Sequence, residues 1–320
     1  MKKCTKIWLF IATALTVAGL IMFGVIMTML KWDFTKLSTD EFETNTYTVS
    51  EPYGSVSVNT VTADVTFIPS ENGETKVVCY EEVKVTHSVT VKDDTLVIEV
   101  NDQRKWYDHI GIHFTQPKLT VYLPAGEYGA LSVKLTTGDI MGPQELRLDS
   151  MSISATTGDI KSSALVAGVA QLKTTTGDIA VENCSIGALD MTVTTGDISV
   201  SAVTCEGKLQ LNVGTGDAKL TDTSCKSLIS DGTTGNLYLK NVIAVERFTI
   251  ERTTGNIKLE RCDAAELYVN TTTGDVTGSL LSEKIFIANA TTGDVRVPES
   301  VSGGKCKITT TTGDILINIQ

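Results

Sequence analysis

The chain is poor in several things at once. Aromatic residues make up 6% of its 320 positions, proline occurs six times and histidine three times. No Ser-His-Asp set, phosphate-binding glycine loop or zinc-ligand spacing can be read in it, so no catalytic residue is assigned and no cofactor is implied. Basic residues are also short, with 27 Lys and Arg against 38 Asp and Glu and a net charge of −11. The three lysines of the first thirty residues carry +3, which leaves −14 on the rest (−11 less +3). Without a basic stripe to neutralise phosphates, nucleic acid is excluded as a partner. Anionic lipid or wall polymer is repelled unless cations bridge the two.

What is present begins with an apolar run. Ile7 to Leu30 carries no charge over 24 residues, and roughly 20 apolar residues span a bilayer core. A cleaved signal peptide has a shorter apolar core and a small-x-small cleavage site, which Met27-Thr28-Met29-Leu30 does not offer. The run reads as an uncleaved signal anchor. Lys2, Lys3 and Lys6 precede it, so the N-terminus is expected in the cytoplasm and the rest outside. Trp8 and Trp32 sit near its ends, where indoles favour the interface. Cys4 lies before the run and reads as a free cytoplasmic thiol. The expected division is a tail over 1–6, an anchor over 7–30, a tether over 31–46, an irregular β preamble or cap over 47–130, and repeats over 131–320.

The preamble alternates in short strands. Thr62-Ala63-Asp64-Val65 has the look of a degenerate version of the repeat described next. All three histidines lie in this region. His109 and His113, at i and i+4 beside Asp108, share a face on a strand, but a metal site wants three or four ligands. Trp106, Tyr107, His109 and His113 together form a candidate ligand-binding loop, because a loop on a rigid scaffold is where binding tends to sit.

The rest of the chain is organised on Thr-Thr-Gly-Asp. Its glycines are Gly138, Gly158, Gly177, Gly196, Gly216, Gly235, Gly255, Gly274, Gly293 and Gly313, at spacings of 19 or 20 residues. Such a period marks a stacked repeat. Counting from each glycine, positions −7, −5 and +2 are apolar columns; +2 holds Ile140, Ile160, Ile179, Ile198, Ala218, Leu237, Ile257, Val276, Val295 and Ile315. Alternation places −7, −5, −3 and −1 on one inward face. The jump to +2 across Gly-Asp marks a turn. The fold expected is therefore all-β: a parallel β-solenoid of about ten coils, right-handed by the default for parallel crossovers, about 4.8 Å per coil.

Each corner residue has a chemical reason. Gly accepts positive φ, and Asp or Asn can bond the nearby backbone. The rival reading of Asp139, Asp159, Asp178, Asp197 and Asp217 is a calcium ladder, for which one carboxylate per coil is thin against the six to eight oxygens calcium takes. Thr at −1 on the inward parity argues against an ice-facing threonine surface. Cys205 and Cys225 fall at the same position of adjacent coils, within disulfide distance but awkwardly oriented. A polysaccharide-cleaving β-helix enzyme is the catalytic alternative; Arg252 beside Glu251 is the one unusual pair that favours it.

A Thr-Thr-Gly-Asp-Ile unit every 19–20 residues, after Thr62-Ala63-Asp64-Val65 and the Leu-Thr-Val-Tyr-Leu-Pro strand at 119–124, resembles the bacterial "putative adhesin" domain family of unknown function over about residues 45–320. The resemblance implies a parallel β-solenoid, an envelope location and no known catalytic residues. Some membrane-anchored members share this plan and occur in cell-envelope stress-response operons, which brings in a further alternative, a membrane-anchored regulator of envelope stress. The function expected is non-catalytic: adhesion, scaffolding or partner binding by an acidic extracytoplasmic rod. Because the chain stops inside its last coil, at Ile315 to Gln320, that coil is expected to form the open end and to pair with a copy of itself or another strand.

Overall fold

A computed structural model describes residues 3–33, 41–106 and 115–320. The first element is a helix, Lys3–Met29. Its stretch Thr5–Met29, of mean hydropathy 2.4, is long and apolar enough to cross a membrane. The hydroxyls of Thr13, Thr16 and Thr28 donate to the carbonyls of Leu9, Ala12 and Gly24 four residues back, at 2.7–2.9 Å, so these three hydroxyls are already paired within the helix.

The remainder is a β-solenoid of about nine turns. Strand segments run almost continuously; Ala218–Thr234 and Ile257–Thr273 each pass from one Gly-Asp corner to the next. Successive coils pair in parallel, as Ala218–Thr234 does with Leu237–Thr254. Apolar residues at −7, −5 and +2 interlock in one continuous core that runs the length of the stack. A second corner, unmarked by glycine, follows six residues after the first. Asn183, Ala202, Asp222, Asn241 and Arg261 all hold left-handed φ of 50–54° there. Asn and Asp tolerate that geometry best. A third corner absorbs the difference between 19- and 20-residue units. Pairing across it slips by one residue at Cys225/Ser227 and again at Ala244/Arg247.

The threonine parity departs from expectation. Thr137, Thr157, Thr176 and Thr195, at −1, are exposed, as are Thr136, Thr156, Thr175 and Thr194 at −2. The bend begins before the glycine, so two consecutive residues point outward and the inward face ends at −3. The objection to an ice-facing surface drawn from inward threonines therefore fails; the two columns border a corner.

At the N-terminal end, Ser55–Asn59 and Asp64–Pro69 make a coil around the Ala63-Asp64 corner. They pair in parallel with Leu131–Lys134 and with Ile140–Met141. Thr95–Asp102 and Lys118–Leu123 stack beyond them. Antiparallel strands then extend this end: Val85–Lys92 on Thr95–Asp102, and Thr75–Glu82 with Phe42–Val49 on Lys118–Leu123.

The C-terminal end overturns the expectation for the last coil. Gly304–Thr312 pairs on one side with Ile257–Thr273 and on the other with Lys284–Thr292. Ile315–Ile319 lies between Val276–Leu280 and Val295–Arg296. The final unit is thus inserted in the stack, and the unit before it, around Gly293, forms the end. Proline gives the physical reason. After its corner the Gly293 unit reads Val295-Arg296-Val297-Pro298. Pro298 has no N–H, so it cannot donate to a ladder and is confined to an edge. Ile315–Ile319 carries no such break and takes the interior place.

Candidate functional site

The Gly-Asp corners form one uninterrupted ridge. Each corner glycine has φ between 128° and 152°, a range that side chains with a Cβ rarely adopt. A Cβ there would also overlap the carbonyl of the adjacent corner glycine, as at Gly196 against Gly177. The glycine N–H donates to the −1 carbonyl of the next coil, as in Gly138 to Thr157 at 3.0 Å. The +1 side chain makes a second ladder. Asp64 Oδ1 accepts from Asp139 N–H at 3.1 Å, Asp139 from Asp159 at 2.9 Å, and so on through Asp178, Asp197 and Asp217. Asn236 and Asn256 continue it at 2.7–3.0 Å. It ends with Asp275 accepting from Asp314, and Asp314 from Asp294, each at 2.8 Å. The bond needs an oxygen and no charge, which is why asparagine serves mid-ridge. One oxygen of each carboxylate but that of Asp294, at the end of the ladder, is committed to the neighbouring coil. No trio of carboxylates on this ridge comes together closely enough for a shared cation among the described residues.

One group of chemically capable side chains does converge, and it lies in the N-terminal cap. Cys79, Glu81 and His87 hold their ligand atoms within 4.8 Å of one another. The His87 ring joins an acid to a hydroxyl: Nδ1 is 2.6 Å from Glu81 Oε2, and Nε2 is 2.8 Å from Thr60 Oγ1. With Glu81 ionised, Nδ1 donates, and the Nε2 of a neutral ring accepts from Thr60. The His87 backbone N–H also donates to Glu81 Oε2 at 2.8 Å, and Asn45 Nδ2 donates to Oε1 at 2.9 Å. Tyr47 hydroxyl donates to the His87 carbonyl at 2.9 Å. Burial, then Glu81 and Cys79, raises the Tyr47 pKa. Burial pushes the Cys79 thiol up to about 12, with Glu81 adding to it.

The order hydroxyl, imidazole, carboxylate is that of a hydrolytic triad, but burial decides against a reaction. Thr60 is 3% exposed and Glu81 1%, so no substrate reaches the hydroxyl. Two ligands on one tetrahedral zinc stand roughly 3.3 Å apart when their bonds are about 2.0 Å; the 2.6 Å contact is a hydrogen bond. The set is a polar clamp that ties Asn59-Thr60 of the first coil to the strands closing the end. Sequence reasoning passed over it. The available signal was Val77-Cys79-Glu81, whose alternation puts a carboxylate on an inward face.

Of the expected ligand loop, Trp106 stands 77% exposed. Tyr107, Asp108, His109 and His113 lie outside the described residues. Cys205 and Cys225 are buried free thiols, and burial raises both, Cys225 to about 12. Arg252 lies in the core at the −3 column. Nη2 donates to Ser230 Oγ at 3.0 Å, the guanidinium occupies the space over Gly232, and Nε has no partner. Burial lowers its pKa despite Asp231 and Asp217. No side chain from an accessible groove meets it, so the structure does not bring it into a cleaving site with Glu251, which points outward. An open groove of about 540 Å³ runs past Glu127, Arg147, Asp149 and Glu206 over a floor of Leu165 and Val166. A smaller one, about 270 Å³, centres on Tyr238 between Lys219, Lys240 and Lys258.

Residues 53–227 and 206–320 match the family described as Toastrack DUF4097. The chain belongs to this family. The repeating corner and the capped solenoid are thus the Toastrack architecture. Among solved structures, the Toastrack chain is similar to a "putative lipid binding protein" from Parabacteroides distasonis, at 12% identity, 88% and 98% coverage of the two chains, and a TM-score of 0.46. It is also similar to a "putative adhesin" from Bacteroides fragilis, at 17% identity, 88% and 97% coverage and a TM-score of 0.32. A "putative cell adhesion protein" from Clostridium sporogenes shares 14% identity over 88% and 100%, with a TM-score of 0.21. No curated protein matches.

Proposed function

We propose that this Toastrack chain is a single-pass membrane protein whose helix anchors a rigid acidic solenoid on the extracytoplasmic side. On this reading the solenoid works without catalysis, as a binding or scaffolding rod at the cell envelope. One observation carries the reading. The 25-residue apolar stretch Thr5–Met29 buries none of its most apolar window inside the molecule, while the solenoid buries its own apolar columns within itself. A helix of that composition needs an apolar surrounding that the solenoid does not supply. The basic tail of Lys2, Lys3 and Lys6 supports a cytoplasmic N-terminus. The sealed polar clamp supports a non-catalytic role, because its hydroxyl and carboxylate are out of reach.

Tags placed before Lys2 and after Gln320 test the orientation. In intact cells stripped of their wall, external protease is expected to remove the C-terminal tag and spare the N-terminal one. A mature chain that begins after Leu30 would refute the anchor. Crosslinking in native membranes, followed by identification of what is captured, then names the partner.

A further inference from the structure

The two ends of the solenoid are finished differently, and the unfinished end points to a partner. Lys284–Thr292 pairs with Gly304–Thr312 along one edge; no strand among the described residues lies on its other edge. Past the corner only Val295 and Arg296 pair, so Ile315–Ile319 also has an open edge from Ile317 onward. The core is open here too. Val295 is 40% exposed, whereas the other members of its column, from Ile140 to Ile315, are at most 1% exposed. Phe286, Ala288, Ala290 and Val297 are only partly buried. Ile285 and Ile287 face outward at 44% and 50% exposure. An unpaired strand of this composition, in line with an open section of apolar core, is a template for another β edge.

We propose that this end is a self-association surface, through which two copies of the chain join end to end. Lys284–Thr292 of each copy pairs with its equivalent, and the open core sections around Phe286 and Val295 cover one another. Three observations select a second copy as the occupant. The first is charge. The strand Lys284–Thr292 contains no acidic residue, and its lysine is neutralised by Asp263 at 2.7 Å; Arg296 and Asp294 stand 3.5 Å apart. Two such strands meet without like-charge repulsion, the exposed acids Glu283 and Glu299 lying outside them, although the chain as a whole is strongly acidic.

The second is the opposite end. Its outermost strands, Phe42–Val49 and Val85–Lys92, also pair on one edge only among the described residues, but the core section there is filled by the buried Glu81, His87 and Thr60, so a head-to-tail array would set an open apolar section against a sealed polar one. A closed two-fold pair through the same patch remains. The third is strand direction. A two-fold axis normal to the stack reverses the sense of the coils, so the facing strands run antiparallel, a favourable pairing for two free edges. This inference stands on the solenoid alone and does not depend on the membrane reading.

The test uses the full-length chain in mild detergent, with mass measured by light scattering across 1–100 µM. A dimer is expected, and the double variant Ile287→Lys with Val295→Lys is expected to weaken it at least ~100-fold, since it places four lysines at a dry interface. Both residues are exposed in the single chain, so its melting temperature is expected to move by only a few degrees. Geometry is read by crosslinking. On a Cys4→Ser background, a short bis-maleimide is expected to join copies of Asn289→Cys and to leave Thr90→Cys, at the capped end, unjoined. A monomer throughout the range, a dimer that survives the double variant, or equal crosslinking from Thr90→Cys would each overturn the proposal.

Discussion

The N-terminal end of this solenoid has a filled core and the C-terminal end an open one, though both are built from the same kind of coil. At the N-terminal end, antiparallel strands extend the stack, and the buried Glu81 carboxylate and His87 imidazole lock them to the Thr60 hydroxyl. At the open end a proline-broken coil is placed outermost and its apolar column meets solvent. The contrast teaches that a repeat specifies its own interior and leaves its ends to other chemistry. Solenoids protect their terminal coils because each coil buries its core only against neighbours.

The clamp is where the comparison breaks hardest. Glu81→Ala removes the acceptor for the His87 ring, the His87 backbone N–H and Asn45. Leaving buried polar groups unpaired costs about 3–5 kcal/mol. Urea unfolding is expected to show that loss, and no equivalent cost for Asn289→Ala at the open end.

The corner glycines give the next largest effect, and one that differs by position. Gly196→Ala and Gly293→Ala both force a Cβ into a neighbouring carbonyl at a φ near 137°. In mid-stack the distortion has nowhere to go, and about 3 kcal/mol or more is expected. The Gly293 coil has a neighbour on one side only and can fray, so less than half that cost is expected there. Equal losses at both sites would remove the mechanical distinction between ends and middle.

Arg252 sits between the extremes as a fault in the interior. Its guanidinium fills the space over Gly232, so Gly232→Val alone is expected to cost about 2 kcal/mol by overpacking. Arg252→Thr, which restores the residue type found at Thr174, Thr271 and Thr310, is expected to be close to neutral and to relieve Gly232→Val when the two are combined. A double-mutant cycle with no coupling would show that the two side-chain positions do not compete. The smallest effect is expected at the second corner. Ala202→Asn keeps φ at 52° with a residue that tolerates it, for a gain of about 0.5–1 kcal/mol in thermal unfolding.

Much of this molecule is legible in its sequence, because a 19–20-residue period leaves few ways to bury the −7, −5 and +2 columns. The degenerate corner at Ala63-Asp64 was legible for the same reason. Four things were not. The threonine parity was misread because alternation cannot show that the chain starts to bend before its glycine. The order of the last two coils was hidden because Val295 and Ile315 suit the same column equally well; only Pro298 distinguishes them. The clamp joins residues from three strands whose pairing is set by the tertiary fold, and a lone His87 among valines carries little signal of it. The second corner was missed because Asn, Ala, Asp and Arg share no side-chain chemistry there, only a backbone angle.

The exchanged order of the final coils also sets a timetable. Lys284–Arg296 has its native place two strand spacings beyond Ile257–Leu280, roughly 10 Å away, and the segment that fills the slot between them comes later in the chain. Domains fold as the chain emerges, N-terminal parts first; this one stays incomplete until Gly304–Ile319 arrives. Gly304 to Gln320 therefore acts as a keystone, and a chain cut short by even one coil is left with a gap inside its wall and a loose end outside it.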